Sequence, residues 1–144
     1  MSAPMFFTLA LTTCAAAIDW KRREIPDWIS LALLAVGVAA CVFSLDSVPW
    51  PHRAIGALVG FGLGALAFYG GAFGGGDAKL AAGLGGALGL PTFVPVILFT
   101  AIAGGAFAWI GRRRREREVA YGPAFAIGLL VFLCVRYIER GGAP

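Results

Sequence analysis

The chain has 144 residues, of which 59% are hydrophobic and only 14% are charged. Soluble domains are about 45–50% apolar and about 25% charged, and at this size roughly a third of the unfolded surface stays exposed after folding. The composition therefore excludes a soluble globular domain. The net charge of +4 does not indicate nucleic-acid binding, because the basic residues lie in short segments between apolar runs.

Long apolar runs recur along the whole chain. A helix needs about 20 apolar residues to cross about 30 Å of hydrocarbon, and continuous runs favour helices over an alternating β-barrel pattern. The sequence therefore predicts an all-α, polytopic membrane protein with about six transmembrane helices in a single membrane-embedded domain, residues 1–144. The predicted spans are Pro4–Ile18, Trp28–Leu45, Ala54–Phe73, Ala78–Leu90, Thr92–Ile110 and Ala124–Ile138.

The basic residues predict the orientation. Most of the 12 Lys and Arg residues lie in the first, third and fifth connections between spans: Lys21, Arg22, Arg23, Lys79, Arg112, Arg113, Arg114, Arg115 and Arg117. The positive-inside rule places these connections in the cytoplasm and both termini on the far side. The chain is thus expected to be a multi-pass protein of the inner (cytoplasmic) membrane. No Lys or Arg precedes the first apolar run, which argues against a cleaved signal peptide.

Other sequence features favour ordinary roles. The stretch Arg112–Glu118 follows a span, so it is expected to contact anionic membrane lipid rather than nucleic acid. The three cysteines, Cys14, Cys41 and Cys134, lie inside apolar runs, and the sequence has no CxxC pair and one histidine. We therefore expect neither a zinc site nor a disulfide framework, and no metal or other cofactor.

Two acidic residues stand out by position. Asp19 follows the first apolar run, and Asp77 follows three glycines and opens the fourth span. Under the predicted topology both lie at cytoplasmic helix ends, where carboxylates are costly and usually functional. Two carboxylates at one depth are the minimal apparatus of an aspartic peptidase, in which one accepts a proton from water and the other donates to the scissile carbonyl. Taken alone, Asp19 is as compatible with an interfacial role as with a functional one. The glycine stretch, taken alone, is more typical of a turn than of a site.

The glycines before Asp77 give a physical reason for a site. Gly74, Gly75 and Gly76 remove side-chain bulk, so that a peptide backbone can approach the carboxylate. The helix N-terminus that follows favours the ionised carboxylate. Lys79 is expected either to tune the acidic pair or to lie at the membrane interface.

Three motifs in this order resemble the type IV prepilin peptidase family, which are GxGD membrane aspartic peptidases. The first is an Asp followed by a basic stretch and Ile-Pro, here Asp19 through Ile25-Pro26. The second is GxGDxK, here Gly74 through Lys79. The third is the late element Tyr121-Gly122-Pro123-Ala124, just before the last span.

The resemblance implies that Asp19 and Asp77 are the catalytic pair. It implies prepilin or pseudopilin substrates with a short basic leader, cut at the cytoplasmic membrane boundary. Pro26, Gly122 and Pro123 are expected to support the site by shaping helix starts. The oligomeric state stays open.

Two departures from the family pattern matter. The first loop has no room for the cysteine-containing insertion of longer members, which methylates the new pilin N-terminus. The chain therefore looks like the short form of tight-adherence (Flp-type) or archaeal preflagellin systems, without methyltransferase activity. Asp27 stands where the family commonly has Asn, and it is expected to cap the second helix. Glu24 and Asp27 remain alternatives to Asp19 as the catalytic acid.

Other functions remain open. A transporter or proton-coupled channel could use the same acids as ion ligands, although it would be expected to show paired broken helices and only one Gly-broken segment is visible. A pilus-assembly scaffold would need neither acid. A different GxGD enzyme would cut inside the span of its substrate rather than at the boundary.

Overall fold

The computed structural model describes residues 2–71, 74–114, 121–139 and 141, with the backbone alone for 110–114. These residues form six helices and no strand: α1 (Ala3–Arg22), α2 (Asp27–Val42), α3 (Trp50–Tyr69), α4 (Gly75–Leu88), α5 (Leu90–Arg114) and α6 (Gly122–Glu139). The predicted all-α architecture is confirmed.

Within the described part of the chain, four helices are long and apolar enough to cross a membrane: α1, α3, α6 and the Leu90–Trp109 part of α5. The shorter helix α2 is also apolar. Large apolar side chains such as Leu58, Leu66 and Ile102 are more than two-thirds exposed on the outer surface, as expected where lipid replaces water. The chain is a multi-pass membrane protein.

The helix boundaries differ from the predicted spans at several ends. The first predicted span ends at Ile18, whereas helix α1 continues past Asp19 to Arg22. Helix α2 stops at Val42 rather than Leu45, where a turn with Ser44 at φ 49° follows. The predicted end of the third span, Phe73, lies outside the described residues.

Helix α4 lies at the centre of the bundle. It packs most extensively against α3 and next against α2, and nearly all of its residues from Asp77 onward are buried. Its 14 residues span only about 21 Å, less than the hydrocarbon thickness. Glycines allow the close approach to α3, since a Cβ on Gly85 would overlap the carbonyl oxygen of Gly56.

A partly buried ion pair closes one end of α4. The guanidinium of Arg53, in the first turn of α3, donates to both carboxylate oxygens of Asp46 at 2.6 Å. It also donates to the carbonyl of Ala87 in the last turn of α4. Arg53 is only 5% exposed, so it caps α4 inside the protein. The candidate site lies at the opposite end of α4.

Candidate active site

The end of helix α1 positions Asp19. Arg23 adopts the left-handed conformation at φ 54° and donates its backbone N–H to the carbonyl of Asp19, which ends the helix. Asp19 therefore lies in the last helical turn, and its side chain is buried with 5% exposure. A carboxylate at this depth needs hydrogen-bond donors to offset its lost hydration.

The N-terminus of α6 supplies one such donor. The backbone N–H of Gly122 donates to Oδ2 of Asp19 at 2.8 Å. The contact requires glycine, because a Cβ at position 122 would lie 2.8 Å from both Cβ and Oδ2 of Asp19. The late Tyr-Gly-Pro element thus reaches Asp19 directly, across 103 positions of sequence.

The first turn of α4 positions Asp77. The backbone N–H of Gly74, the N-cap residue, donates to Oδ2 of Asp77 at 3.0 Å. Asp77 is 7% exposed, and its other oxygen, Oδ1, is buried without a hydrogen-bond partner among the described residues. One oxygen is therefore held by the helix start, and the other is available to a ligand.

The loop after α1 packs against the glycines before Asp77. Ile25 is buried, and a Cβ on Gly76 would lie 3.1 Å from the Cβ of Ile25. Pro26 is extended, at φ −63° and ψ 136°, and forms the N-cap of α2. The conformational role expected for Pro26 fits this geometry. No role is predicted for Ile25 from the sequence, although its place beside Pro26 in the first motif could have indicated one.

Both predicted acids line one pocket. Its volume is about 290 Å³, and the residues around it are Asp19, Arg23, Glu24, Ile25, Asp27, Gly74, Gly75, Gly76 and Asp77. Asp19 and Asp77 are close enough for their charges to interact. The structure therefore brings the two motif acids and all three glycines together, at one end of the bundle.

Asp27 and Lys79 form an ion pair at the mouth of the pocket. The Lys79 ammonium donates to the two Asp27 oxygens at 2.7 and 2.8 Å, and both side chains are more than half exposed. The expectation that Asp27 caps α2 is wrong, because Pro26 occupies the N-cap position and no side chain caps this helix. The carboxylate instead joins the start of α2 to the first turns of α4.

Tyr121 lies beside the acidic pair, just before α6. A Cβ on Gly104 of α5 would lie 2.8 Å from the Tyr121 ring, so a glycine makes room for this ring. Burial, and next the negative charge of Asp77, raise the pKa of the Tyr121 phenol. Tyr121 therefore stays protonated near the two carboxylates at neutral pH. The motif named this residue, but the sequence alone gave it no function.

Comparison with known proteins identifies the family. Residues 6–109 match the type IV leader peptidase family. The chain belongs to this family. It is 35% identical to a prepilin leader peptidase/N-methyltransferase of Burkholderia pseudomallei (strain 1026b) over an alignment of 163 residues. The alignment covers 92% of this chain and 49% of that relative. A protein of the same name from Neisseria gonorrhoeae is 30% identical over 125 residues, covering 80% of this chain and 43% of the relative.

The type IV leader peptidase match includes both motif acids but not every residue around them. Asp19 and Asp77 lie within the matched region, whereas Tyr121 and Gly122 follow it. The chain spans about half the length of the curated relatives it matches. No solved structure matches it. The resemblance recognised in the motifs is therefore confirmed at the level of the family.

Proposed function

We propose that this member of the type IV leader peptidase family is a membrane aspartic endopeptidase that removes the short basic leader from prepilin or pseudopilin substrates. The observation that carries the proposal is the single pocket lined by Asp19 and Asp77. Both acids are buried, and each accepts one backbone N–H at a helix start. The relatives from Burkholderia pseudomallei and Neisseria gonorrhoeae are prepilin leader peptidases by name, which supports the same substrate class.

The two carboxyl groups would share one proton, because close carboxylates do not both ionise readily. The ionised group takes a proton from water as the water oxygen attacks the scissile carbonyl carbon. The protonated group donates to the carbonyl oxygen, which gives a neutral gem-diol. As this intermediate collapses, the carboxylate that had donated its proton takes one from a gem-diol hydroxyl. The other carboxyl group gives the proton it took from water to the leaving nitrogen as the C–N bond breaks.

The pocket geometry suits this reaction. Backbone donors hold one oxygen of Asp19 and one of Asp77, so the carboxyl planes are oriented before substrate arrives. Oδ1 of Asp77 has no partner in the described residues and is therefore the oxygen we assign to water or the substrate carbonyl. The exposed backbone of Gly74 and Gly75 leaves space for an extended peptide.

We place this pocket at the cytoplasmic boundary of the inner membrane. The pocket lies at the end of the bundle where the first, third and fifth connections begin. Most of the basic residues lie in these connections or in the helix turns next to them, and such residues are retained in the cytoplasm. A prepilin would thus present its leader from the cytoplasm and leave its apolar helix in the bilayer.

We further propose that cleavage occurs without N-methylation. Only four residues, 23–26, separate α1 from α2, and the sequence has no CxxC pair. The family's methyltransferase insertion therefore has no counterpart at this position. The test is the mass and sequence of the new pilin N-terminus, which should carry a free, unmethylated amine.

Coexpression with candidate pilins tests the peptidase activity. Leader removal is followed by gel shift, and the cut is located by N-terminal sequencing. Asp19→Asn and Asp77→Asn should each abolish cleavage while the protein remains in the membrane fraction. Glu139→Gln is the matched control, because this exposed carboxylate lies at the other end of α6 and its loss should leave cleavage unchanged.

The outcomes separate the competing functions. Normal cleavage by either Asn variant would remove that residue from the catalytic pair. A cut inside the apolar helix would indicate a different GxGD specificity. Pilus assembly that tolerates the double Asn variant would favour a scaffold over a peptidase.

A further inference from the structure

The active-site pocket contains more negative charge than a catalytic pair requires. Four carboxylates line it, from Asp19, Glu24, Asp27 and Asp77, against the single guanidinium of Arg23. Sharing one proton between Asp19 and Asp77 still leaves the pocket negative. Among the described residues no three His, Cys, Asp or Glu side chains are grouped so that they could hold a metal ion.

The buried end of the pocket contains a polar atom that a ligand could satisfy. Asp77 is more than nine-tenths buried, and its Oδ1 accepts no hydrogen bond within the described chain. Buried polar atoms are normally satisfied. Asp77 lines the same pocket as Glu24 and Asp27, so a polypeptide bound at this oxygen would lie in the pocket that the two outer carboxylates also line.

The outer carboxylates are available for exchange. The Asp27–Lys79 pair is more than half exposed on both sides, and exposed pairs of this kind are worth only about 0–1 kcal/mol. Glu24 is an exposed residue of the loop between α1 and α2. A cation on a substrate can therefore replace Lys79 at Asp27 at little cost, and it meets Glu24 in the same pocket.

We propose that Glu24 and Asp27 form a subsite for a Lys or Arg side chain on the leader side of the cut, with Lys79 as the counterion of Asp27 in the free enzyme. This inference rests on the proposed peptidase function and adds to it the residues that select a basic leader. Neither carboxylate takes part in proton transfer. Their effect is expected in substrate binding, because an ion pair with the leader is formed before and during the chemical step alike.

The test compares two synthetic peptides that share an apolar helix and differ only in the leader, which carries either two lysines or two glutamines. The full chain is reconstituted in phosphatidylcholine vesicles, whose lack of net charge removes any attraction between the leader and anionic lipid. Binding is followed by fluorescence anisotropy and cleavage by mass spectrometry. The enzyme variants are Glu24→Gln, Asp27→Asn and both together, with Glu139→Gln as the control that also removes one carboxylate.

Wild type and Glu139→Gln should prefer the lysine leader. Each subsite variant should reduce that preference about twofold to fivefold, the range of one exposed ion pair, through KM rather than kcat. Added salt should reduce the preference in wild type and have little effect in the double variant. Glu24→Lys should reverse the preference in favour of a leader with two glutamates, a result that a purely structural role of Glu24 would not produce.

The failures of the two proposals are distinguishable. An unchanged lysine preference in the double variant, in binding and in cleavage, overturns the subsite while leaving the peptidase intact. Absence of cleavage in every lipid and with every candidate pilin overturns the peptidase. In that case the anisotropy experiment still measures whether the protein binds the lysine leader more tightly than the glutamine leader. Equal binding of the two leaders overturns the subsite, whether or not cleavage occurs.

Discussion

Replacing Gly122 with alanine tests how closely α6 controls Asp19. The new Cβ would lie 2.8 Å from the Cβ and Oδ2 of Asp19 and 3.1 Å from its Cγ. Ordinary carbon contacts need about 3.5–4.0 Å, so the two groups must separate by about 0.7–1 Å. The nearest atoms include the Asp19 Cβ, which no side-chain rotation moves, so α6 or α1 has to shift.

That shift has two consequences. The 2.8 Å hydrogen bond from the Gly122 N–H to Asp19 is lengthened, and a hydrogen bond to a charged group is worth about 1.5–3 kcal/mol. A misplacement of about 1 Å at a catalytic group costs on the order of 100-fold in rate. We therefore expect Gly122→Ala to lower kcat/KM for pilin cleavage by about 100-fold, mainly through kcat.

The measurement is pilin cleavage by the purified variant, with thermal unfolding in detergent as a check on folding. Gly105→Ala is the matched control, because a Cβ at position 105 of α5 meets no atom within 4 Å. Wild-type kcat/KM in a folded Gly122→Ala protein would contradict the positioning of Asp19 by α6. An equal loss in Gly105→Ala would show that the assay reports general helix perturbation instead.

Two other predictions concern the opposite end of α4 and the residue before α6. Arg53→Met removes the partner of the partly buried Asp46 carboxylate and the donor to the buried Ala87 carbonyl. The variant should lose about 1–3 kcal/mol of stability, the cost of an unsatisfied buried acceptor, seen as a lower Tm in detergent; an unchanged Tm would contradict a structural role for Arg53. The raised pKa of Tyr121 means that the folded protein holds the phenolic proton more tightly than the unfolded chain. Its contribution to stability is therefore complete below the ordinary value of 10.0 and is lost as pH rises through the raised value. The difference between wild-type and Tyr121→Phe phenolate absorbance titrations should isolate one group that titrates above 10.0, and a midpoint at or below it would refute the burial of this ring.

The sequence was sufficient to predict the six helices, because each apolar run is bounded by a charged residue, a proline or a glycine. It was also sufficient to single out Asp19 and Asp77, since carboxylates beside apolar runs are rare enough to be informative. In addition, the Ile-Pro element, the three glycines and the Tyr-Gly-Pro element follow one another along the chain in the order of the family that it resembles. The structure places residues of all three motifs around or against the same pocket.

The contacts between distant segments were not predictable from local pattern. Asp27 satisfies the usual preference for an acidic residue at a helix start, but its orientation toward Lys79 depends on how α2 packs against α4. Arg53 directly precedes the predicted third span, yet its guanidinium is buried because the carbonyls at the end of α4 and the Asp46 carboxylate surround it. Such contacts follow from helix packing, which one sequence does not determine.

The short central helix also has a consequence for biogenesis. α4 contains many glycines and alanines and has Asp77 in its first turn, so by itself it has little tendency to leave the translocon for lipid. Gly56, Gly60 and Gly64 of α3 allow Gly85, Ala81 and Ala78 of α4 to approach closely, which gives α4 a protein neighbour that lipid cannot replace. We expect α3 and α4 to insert together as a helical hairpin, with α3 acting as an intramolecular chaperone for the segment that bears Asp77.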